Sequence, residues 1–288
     1  MSNPYPRLFH PTSAELRKMF VRILSEDIGS GDVTSENIPN RRVYAEVISN
    51  SSGVLSGVVE VKVLLSMYDI KVAKAMKDGS RVEKGDIVLG LNGNSRKMLM
   101  TERTVLNILS RMSGISTLTR KYVDAAKQAN PRIRVAATRK TTPGFRYFEK
   151  KACVVGGAVS HRTGLFDMAL IKDTHMIVFG SVDRAVSALR RGYVGAVEVE
   201  VSSFEDARDA ILGGADIVML DNLLPNKIKK IVNKLTNEGL TRKVMLEASG
   251  GVTLKNIKAY AKSGVDVISV GRITSSAQSL DYSMKVRR

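Results

Sequence analysis

The order of patterns along this chain predicts an α/β fold, an irregular (incomplete) α/β barrel preceded by a smaller N-terminal α/β part. Three observations predict it. After Pro131, apolar runs begin near residues 133, 168, 196, 216, 244 and 266, about 20–35 residues apart, with helical segments between them. That is the spacing of parallel strands joined by crossover helices. Second, five runs end in charged, hydroxyl or glycine residues: VAATRKTT (135–142), MALIKDTH (168–175), AVEVEV (196–201), IVMLDN (217–222) and VMLEASGG (244–251). Parallel strands bring such residues together at their carboxyl ends, where α/β proteins bind ligands. Third, residues 43–93 follow a different rhythm, short extended pieces broken by Gly, Asn and Asp, which reads as a mostly antiparallel sheet. Six strands, with a candidate seventh at CVV (153–155), fall short of a regular eightfold barrel. A doubly wound open sheet is the competing architecture, although the chain has neither a GxGxxG fingerprint nor a GxxxxGK[ST] loop.

In chain order, residues 12–25 place Leu16, Met19, Phe20, Ile23 and Leu24 at helical spacing behind Thr12 and Ser13 as N-cap candidates, so the first element is an amphipathic helix. YAEVISN, GVLSGVV, IKVAKAM and DIVLGL supply the extended pieces that follow. Residues 97–129 have apolar side chains at helical intervals and form a helix that bridges the two halves, with Gly114 as a point where it splits. In the second half, SVDRAVSALRRG (181–192) carries a serine cap, an early acid, late arginines and a glycine stop, each matched to the helix dipole or its end. SFEDARDAILGG (203–214) and TLKNIKAYAKSG (253–264) repeat the scheme, and Pro225 suits the first turn of another helix.

Composition narrows the function. No apolar stretch approaches the roughly 20 residues of a membrane span, and the N-terminus lacks the order of a signal peptide, so a cytoplasmic enzyme is expected. The single cysteine, Cys153, excludes an intramolecular disulfide and, with three histidines, leaves no common Cys/His zinc cluster. A metal, if used, is then carboxylate-bound magnesium. The 45 Lys and Arg outnumber the 28 Asp and Glu by 17, enough to attract nucleic acid or to steer anionic metabolites. The basic residues are spread along the chain without interleaved aromatics, which argues against a dedicated nucleic-acid module.

The charged strand ends carry the chemistry. Glu198 and Glu200 are two apart on one strand and share a face, with Val197, Val199 and Val201 opposite, and in a barrel one of those two faces is the interior; Glu198 either joins the site or pairs with Arg139 or Lys172 as scaffolding. Glu200 and Asp221 are candidates to hold magnesium directly or through water. Ser249, Gly250 and Gly251, between a strand and a helix, form an anion loop, and Gly271 repeats the geometry one unit later. Arg139, Lys140, His161, Arg162 and Lys172 suit a ligand with several carboxylates and phosphates. His161 is either a ligand contact or a satisfied structural histidine; His175 and Cys153 read as structural.

The motifs EDIGSGDVT (26–34), TERTVLNILSRMSGISTLT (101–119), TRKTTPGFR (138–146), HRTGLFD (161–167), LIKDTH (170–175), EVEV (198–201), MLDN (219–222), EASGGV (247–252) and GVDVISVG (264–271) together resemble the quinolinate phosphoribosyltransferase family. The resemblance implies a type II phosphoribosyltransferase-like fold: an N-terminal α/β sandwich over 1–115, rejoined by about 275–288, and a barrel over 116–274 that carries the site. It implies transfer from phosphoribosyl pyrophosphate to quinolinate with decarboxylation, giving nicotinate mononucleotide, pyrophosphate and carbon dioxide in NAD synthesis. By resemblance Arg139, Lys140, His161, Arg162 and Lys172 hold the quinolinate carboxylates, with Arg103 reaching in from a second subunit of a homodimer that has shared sites. Thr141 belongs to the same substrate-binding stretch. Lys140, Glu200 and Asp221 are the expected catalytic residues, with Glu200 and Asp221 facing the ribose and magnesium-bound pyrophosphate. Ser249, Gly250, Gly251 and Gly271 take the 5′-phosphate.

Three stretches depart from the family pattern: GGAVSHR (156–162) has Ser160 in place of asparagine, KDTH (172–175) has Thr174 in place of asparagine, and GRITS (271–275) has Ser275 in place of a common histidine. They bear on which pyridine acid is preferred, not on the phosphoribosyl chemistry. The rival readings are a paralogue acting on nicotinate or another pyridine acid, a relative in molybdenum metabolism, and a basic nucleic-acid-binding protein on this scaffold. Release of carbon dioxide separates the first two from the main reading.

Overall fold

The computed structural model describes residues 4–287. Its elements run α1 (Ser13–Ile28), β1 (Arg42–Ser49), β2 (Gly53–Val54), α2 (Val58–Ser66), β3 (Lys71–Ala75), β4 (Arg81–Val82), β5 (Ile87–Asn94), α3 (Ser95–Ala129), β6 (Arg134–Ala137), α4 (Arg146–Val155), β7 (Ala169–Ile171) and α5 (Asp173–Phe179). They continue α6 (Val182–Arg190), β8 (Val197–Val201), α7 (Phe204–Leu212), β9 (Ile217–Asp221), α8 (Pro225–Asn237), β10 (Met245–Ser249), α9 (Ile257–Ala261), β11 (Val267–Val270), α10 (Arg272–Ser275) and β12 (Tyr282–Arg287). The chain divides into two compact units. One holds Phe9–Leu118, Tyr147–Gly156 and the segment from Ala277 onward; the other holds the segment through Leu8, Thr119–Arg146 and Gly157–Ser276.

The first unit is built on an antiparallel sheet of order β12-β1-β5-β3, with β2 and β4 as a separate pair. α1 begins on a complete capping box, Thr12 and Glu15 satisfying each other's backbone donors, and buries Leu16, Phe20 and Leu24. The run GVLSGVV is not extended throughout. Only Gly53 and Val54 are strand, and Val58–Ser66 coils because burial at 58, 60, 61, 64 and 65 follows the helical period. Glu60 on that face accepts the Tyr147 hydroxyl at 2.8 Å. α3 runs unbroken through Gly114, where the missing Cβ has a packing reason: it would overlap the Gln278 carbonyl. CVV (153–155) is helical rather than a seventh strand. Those residues close α4, whose Cys153 is fully buried and whose buried Glu149 pairs with Arg111 at 2.7 Å.

The second unit contains a six-stranded parallel sheet of order β6-β11-β10-β9-β8-β7. Its first strand lies beside its last, and the others follow in sequence with no reversal. That cyclic order is a barrel's; a doubly wound sheet reverses direction at a switch point. The barrel is incomplete, and beyond β6 a single parallel bridge joins Ala136 to Val159. Every second residue on each strand enters the interior. The deepest layer is apolar, with Ala136, Met168, Ile217, Met245 and Val267 packed around Tyr5. One step along come Glu198 and Glu247, fully buried, and one step further Glu200, Asp221 and Ser249. α6, α7 and α8 begin where expected, after Ser181, after Ser203 and at Pro225; Ser203 Oγ accepts from the Asp206 N–H, whereas the Ser181 hydroxyl donates to Asp183 and makes no capping bond. α9 is shorter than TLKNIKAYAKSG suggested. Asn256 Oδ1 accepts from Thr253 N–H at 2.7 Å and its Nδ2 donates to the Gly251 carbonyl, so 251–256 form a turn before the helix starts.

Candidate active site

A cavity of about 540 Å³ opens at the carboxyl ends of these strands, a size suited to small metabolites. Of the residues expected from sequence, Arg139, Lys140, His161, Arg162, Lys172, Glu200, Asp221, Ser249, Gly250, Gly251 and Gly271 line it together. Thr141 does not. Its Oγ1 accepts from Arg146 Nε at 3.0 Å and its N–H donates to the Arg139 carbonyl, so it shapes the loop that presents Arg139 and Lys140. Arg103 is an exposed side chain of α3 in the other unit. Ser275 lines the cavity and donates to the Gly271 carbonyl at 3.2 Å; Ser160 is buried, and Thr174 is exposed at the start of α5.

Five cations, Arg139, Lys140, Arg162, Lys172 and Arg272, face two carboxylates, Glu200 and Asp221. Lys172 Nζ lies 2.8 Å from Glu200 Oε2, which leaves most of the positive charge uncompensated. Burial, and then the neighbouring Arg139, lower the pKa of Arg162 below the ordinary guanidinium value. Arg139 Nε is buried without a hydrogen-bond partner. Buried donors are rarely left so, and an anion is the natural acceptor. Lys140 is held from behind, its carbonyl accepting from Thr274 Oγ1 at 2.7 Å.

The opposite wall suits phosphate. Gly250 and Gly251 have φ of 88° and 63°, a region costly for other residues, and a Cβ on Gly250 would overlap Asn222. Asn222 itself has φ 52°; its N–H donates to the Ser249 carbonyl at 3.0 Å and its Nδ2 to Asp221. A Cβ on Gly271 would come within 3.0 Å of Lys140 Cδ. Bare backbone N–H groups beside cations form an anion cradle.

Behind the pocket lies a layer that sequence reasoning reached only in part. His161, at φ 54°, directs Nε2 to Glu198 Oε2 at 3.2 Å and Glu247 Oε2 at 3.5 Å, while its Nδ1 accepts from the Arg162 N–H at 2.7 Å. So Glu198 pairs with His161, not with Arg139 or Lys172. Burial lowers the imidazole pKa, but the two carboxylates outweigh it and raise it to about 10. The Arg162 N–H nevertheless calls for a lone pair on Nδ1, a constraint on one identified atom. We therefore place the ring proton on Nε2 and the further proton that the crowded carboxylates attract on Glu198, whose pKa burial and Glu247 push up to about 7. Burial would also raise Glu247, yet His161 foremost, and then the Tyr5 hydroxyl, hold it below the usual value. Glu247 stands two residues before Ser249, so strand parity alone would have pointed to it. Arg272 and Asn222 each follow a residue singled out from sequence, but no local pattern marked them.

Fold and site together define a barrel enzyme for anionic, phosphorylated substrates. Residues 32–113 match the N-terminal domain and residues 115–285 the C-terminal domain of quinolinate phosphoribosyl transferase. The chain is 48% identical over 256 residues to a probable nicotinate-nucleotide pyrophosphorylase [carboxylating] of Archaeoglobus fulgidus, covering 89% of this chain and 98% of the relative. It is 38% identical over 244 residues to the human nicotinate-nucleotide pyrophosphorylase [carboxylating], covering 84% and 82%. The solved nicotinate-nucleotide pyrophosphorylase of Francisella tularensis superposes with a TM-score of 0.90 at 34% identity, covering 98% of this chain and 99% of that one. The chain belongs to the quinolinate phosphoribosyl transferase family.

Proposed function

We propose that this protein joins quinolinate to the ribose of phosphoribosyl pyrophosphate and decarboxylates it, yielding nicotinate mononucleotide, pyrophosphate and carbon dioxide for NAD synthesis. The observation that carries this reading is the cluster of Arg139, Lys140, Arg162 and Lys172 in one cavity, with Arg139 Nε buried and unpartnered, facing a two-glycine anion loop. One carboxylate would not need four cations; a dicarboxylate beside a pyrophosphate does.

In the transfer, the ring-nitrogen lone pair forms the bond to the ribose while the bond to pyrophosphate breaks and takes its electron pair away. Cationic charge builds on the ribose, and Glu200 and Asp221 are placed to stabilise it. Lys140 balances the departing anion. Ser249, Gly250, Gly251 and Gly271 hold the 5′-phosphate. Loss of the 2-carboxylate then leaves an electron pair beside a ring nitrogen made cationic by ribosylation, and a solvent proton fills that position. The substrate is its own electron sink, so no general base is required of the protein. His161 has both ring nitrogens engaged within the protein, and its part is to form the floor of the clamp.

Magnesium suits the same wall, because Glu200 and Asp221 offer hard carboxylate oxygens at the ends of paired strands. When bound, it neutralises the charge of the pyrophosphate. We further propose a cytoplasmic homodimer in which Arg103 of the partner subunit completes the clamp. No helix among the described residues is long and apolar enough to cross a membrane.

The test is incubation of pure protein, magnesium and phosphoribosyl pyrophosphate with quinolinate or with nicotinate, following mononucleotide, pyrophosphate and carbon dioxide. Product from quinolinate with equimolar carbon dioxide is expected. Product from nicotinate alone, or salt-sensitive nucleic-acid binding without turnover, overturns the reading.

A further inference from the structure

Tyr5 precedes the first helix by eight residues, yet it is 4% exposed and sits in the apolar floor of the barrel. Its hydroxyl donates to Glu247 Oε2, and its ring lies 4.7 Å, centroid to centroid, from the His161 imidazole at 33°. From there a chain of polar contacts climbs to the pocket: His161 Nε2 lies 3.5 Å from Glu247 Oε2 and donates to Glu198 Oε1 at 3.4 Å, and His161 Nδ1 accepts from the Arg162 N–H. Arg162 lines the cavity, and its Nη1 donates to the Met168 carbonyl at 3.4 Å. His161 is held in left-handed backbone, which a non-glycine residue keeps only where its surroundings fix it.

The cluster of His161, Glu198 and Glu247 has the composition of a metal site, its ligand atoms within 4.8 Å of one another. The tautomer argues against that use. With Nδ1 accepting a backbone proton, Nε2 carries the ring's own proton and has no lone pair to give a cation. The cluster instead works as a brace.

We propose that Tyr5 is a positioning residue for the active site: through Glu247 and His161 it sets the turn that presents Arg162 to the pyridine acid. The role rests on the reading of Arg162 as a substrate contact. Two features require tyrosine in particular. The ring fills the apolar layer between Met168, Ile217 and Met245, and the hydroxyl supplies the donor that a fully buried carboxylate needs. Phenylalanine supplies only the first.

The experiment compares the wild type with Tyr5→Phe and Tyr5→Leu in the full-length protein, by steady-state kinetics and by ¹⁵N NMR of the histidine side chains. Only His10, His161 and His175 contribute to the spectrum, and His161→Gln assigns the relevant signal. The expected result for Tyr5→Phe is a quinolinate KM raised about tenfold, the loss of one hydrogen bond to a charged group, with the phosphoribosyl pyrophosphate KM within about twofold of wild type. Its His161 Nε2–H signal should move. Tyr5→Leu should lose more. Unchanged kinetics and an unchanged His161 signal in Tyr5→Phe, or a fall in thermal stability alone, overturn the proposal. If the variants do not fold, the wild-type spectrum decides: a single slowly exchanging Nε2–H tautomer supports the brace and a rapidly exchanging mixture refutes it. Absence of quinolinate turnover by the wild type would sink the function reading, whereas the unliganded spectrum tests the brace independently.

Discussion

At the scale of single residues, geometry rather than charge alone distinguishes the cations of the pocket. Arg139 offers a planar fork with one buried nitrogen already stripped of partners, while Lys172 is tied to Glu200 at 2.8 Å. Arg139→Lys keeps the charge and loses the fork. We expect its kcat/KM for quinolinate to fall about 100-fold, with the KM for phosphoribosyl pyrophosphate changing less than about threefold. Equal losses for both substrates would place Arg139 elsewhere in the mechanism. The identity of nearly all of these residues was legible in the sequence because strand ends are local features. Arg272 and Tyr5 were not: one follows a glycine that carried the signal, and the other lies 242 residues from its hydrogen-bond partner.

At the scale of elements, two connections show opposing effects that magnitudes decide. A Gly→Ala change inside a helix ordinarily gains about 1 kcal/mol. At Gly114 the new methyl would overlap the Gln278 carbonyl, and overpacking costs about 1–3 kcal/mol. The overlap is deep and with backbone, so the upper end of that cost applies, and we expect Gly114→Ala to destabilise the protein by about 2 kcal/mol in urea unfolding; a stabilised variant would show that 278 yields freely. The second connection is the loop after His161 and Arg162, closed by Asp167. Burial works to raise the Asp167 pKa, but the Thr163 hydroxyl and the Thr163 and Gly164 N–H groups more than offset it and hold the carboxyl below its ordinary 3.8. A depressed folded-state pKa gives stability that is present above 3.8 and lost as pH falls through the lower folded value. Acid titration of wild type and Asp167→Asn by circular dichroism should show a shallower decline below pH 3.8 in the variant. Parallel curves would mean the latch contributes nothing.

At the scale of the whole molecule, the proposed composite site makes its own prediction. Arg103 belongs to one compact unit and the cavity to the other, and each half of the site can be disabled separately. Mixing inactive Arg103→Ala and Lys140→Ala chains should recover roughly a quarter of wild-type activity, since random pairing gives half hybrid dimers with one intact site each. Subunit exchange without recovery of activity would end the shared-site idea.

Much of the barrel was written in local periodicity. Alternation along VEVEV and VMLEAS fixes which side chains share a face, and that depends only on neighbours two apart in the chain. The helix starts marked by Ser181, Ser203 and Pro225 are equally local, and they fell where the residues said. Val58–Ser66 and residues 153–155 misled because short runs of β-branched residues suit either a strand or a buried helix, and only the packed neighbours choose. Tertiary structure alone decided that β6 lies beside β11, that Tyr5 seals the floor beneath Glu247, and that Glu198 meets His161 instead of a lysine or arginine. Sequence determines which face a side chain takes and what chemistry it brings. Which faces meet depends on long-range packing, whose loop-closure entropy and burial no local pattern records.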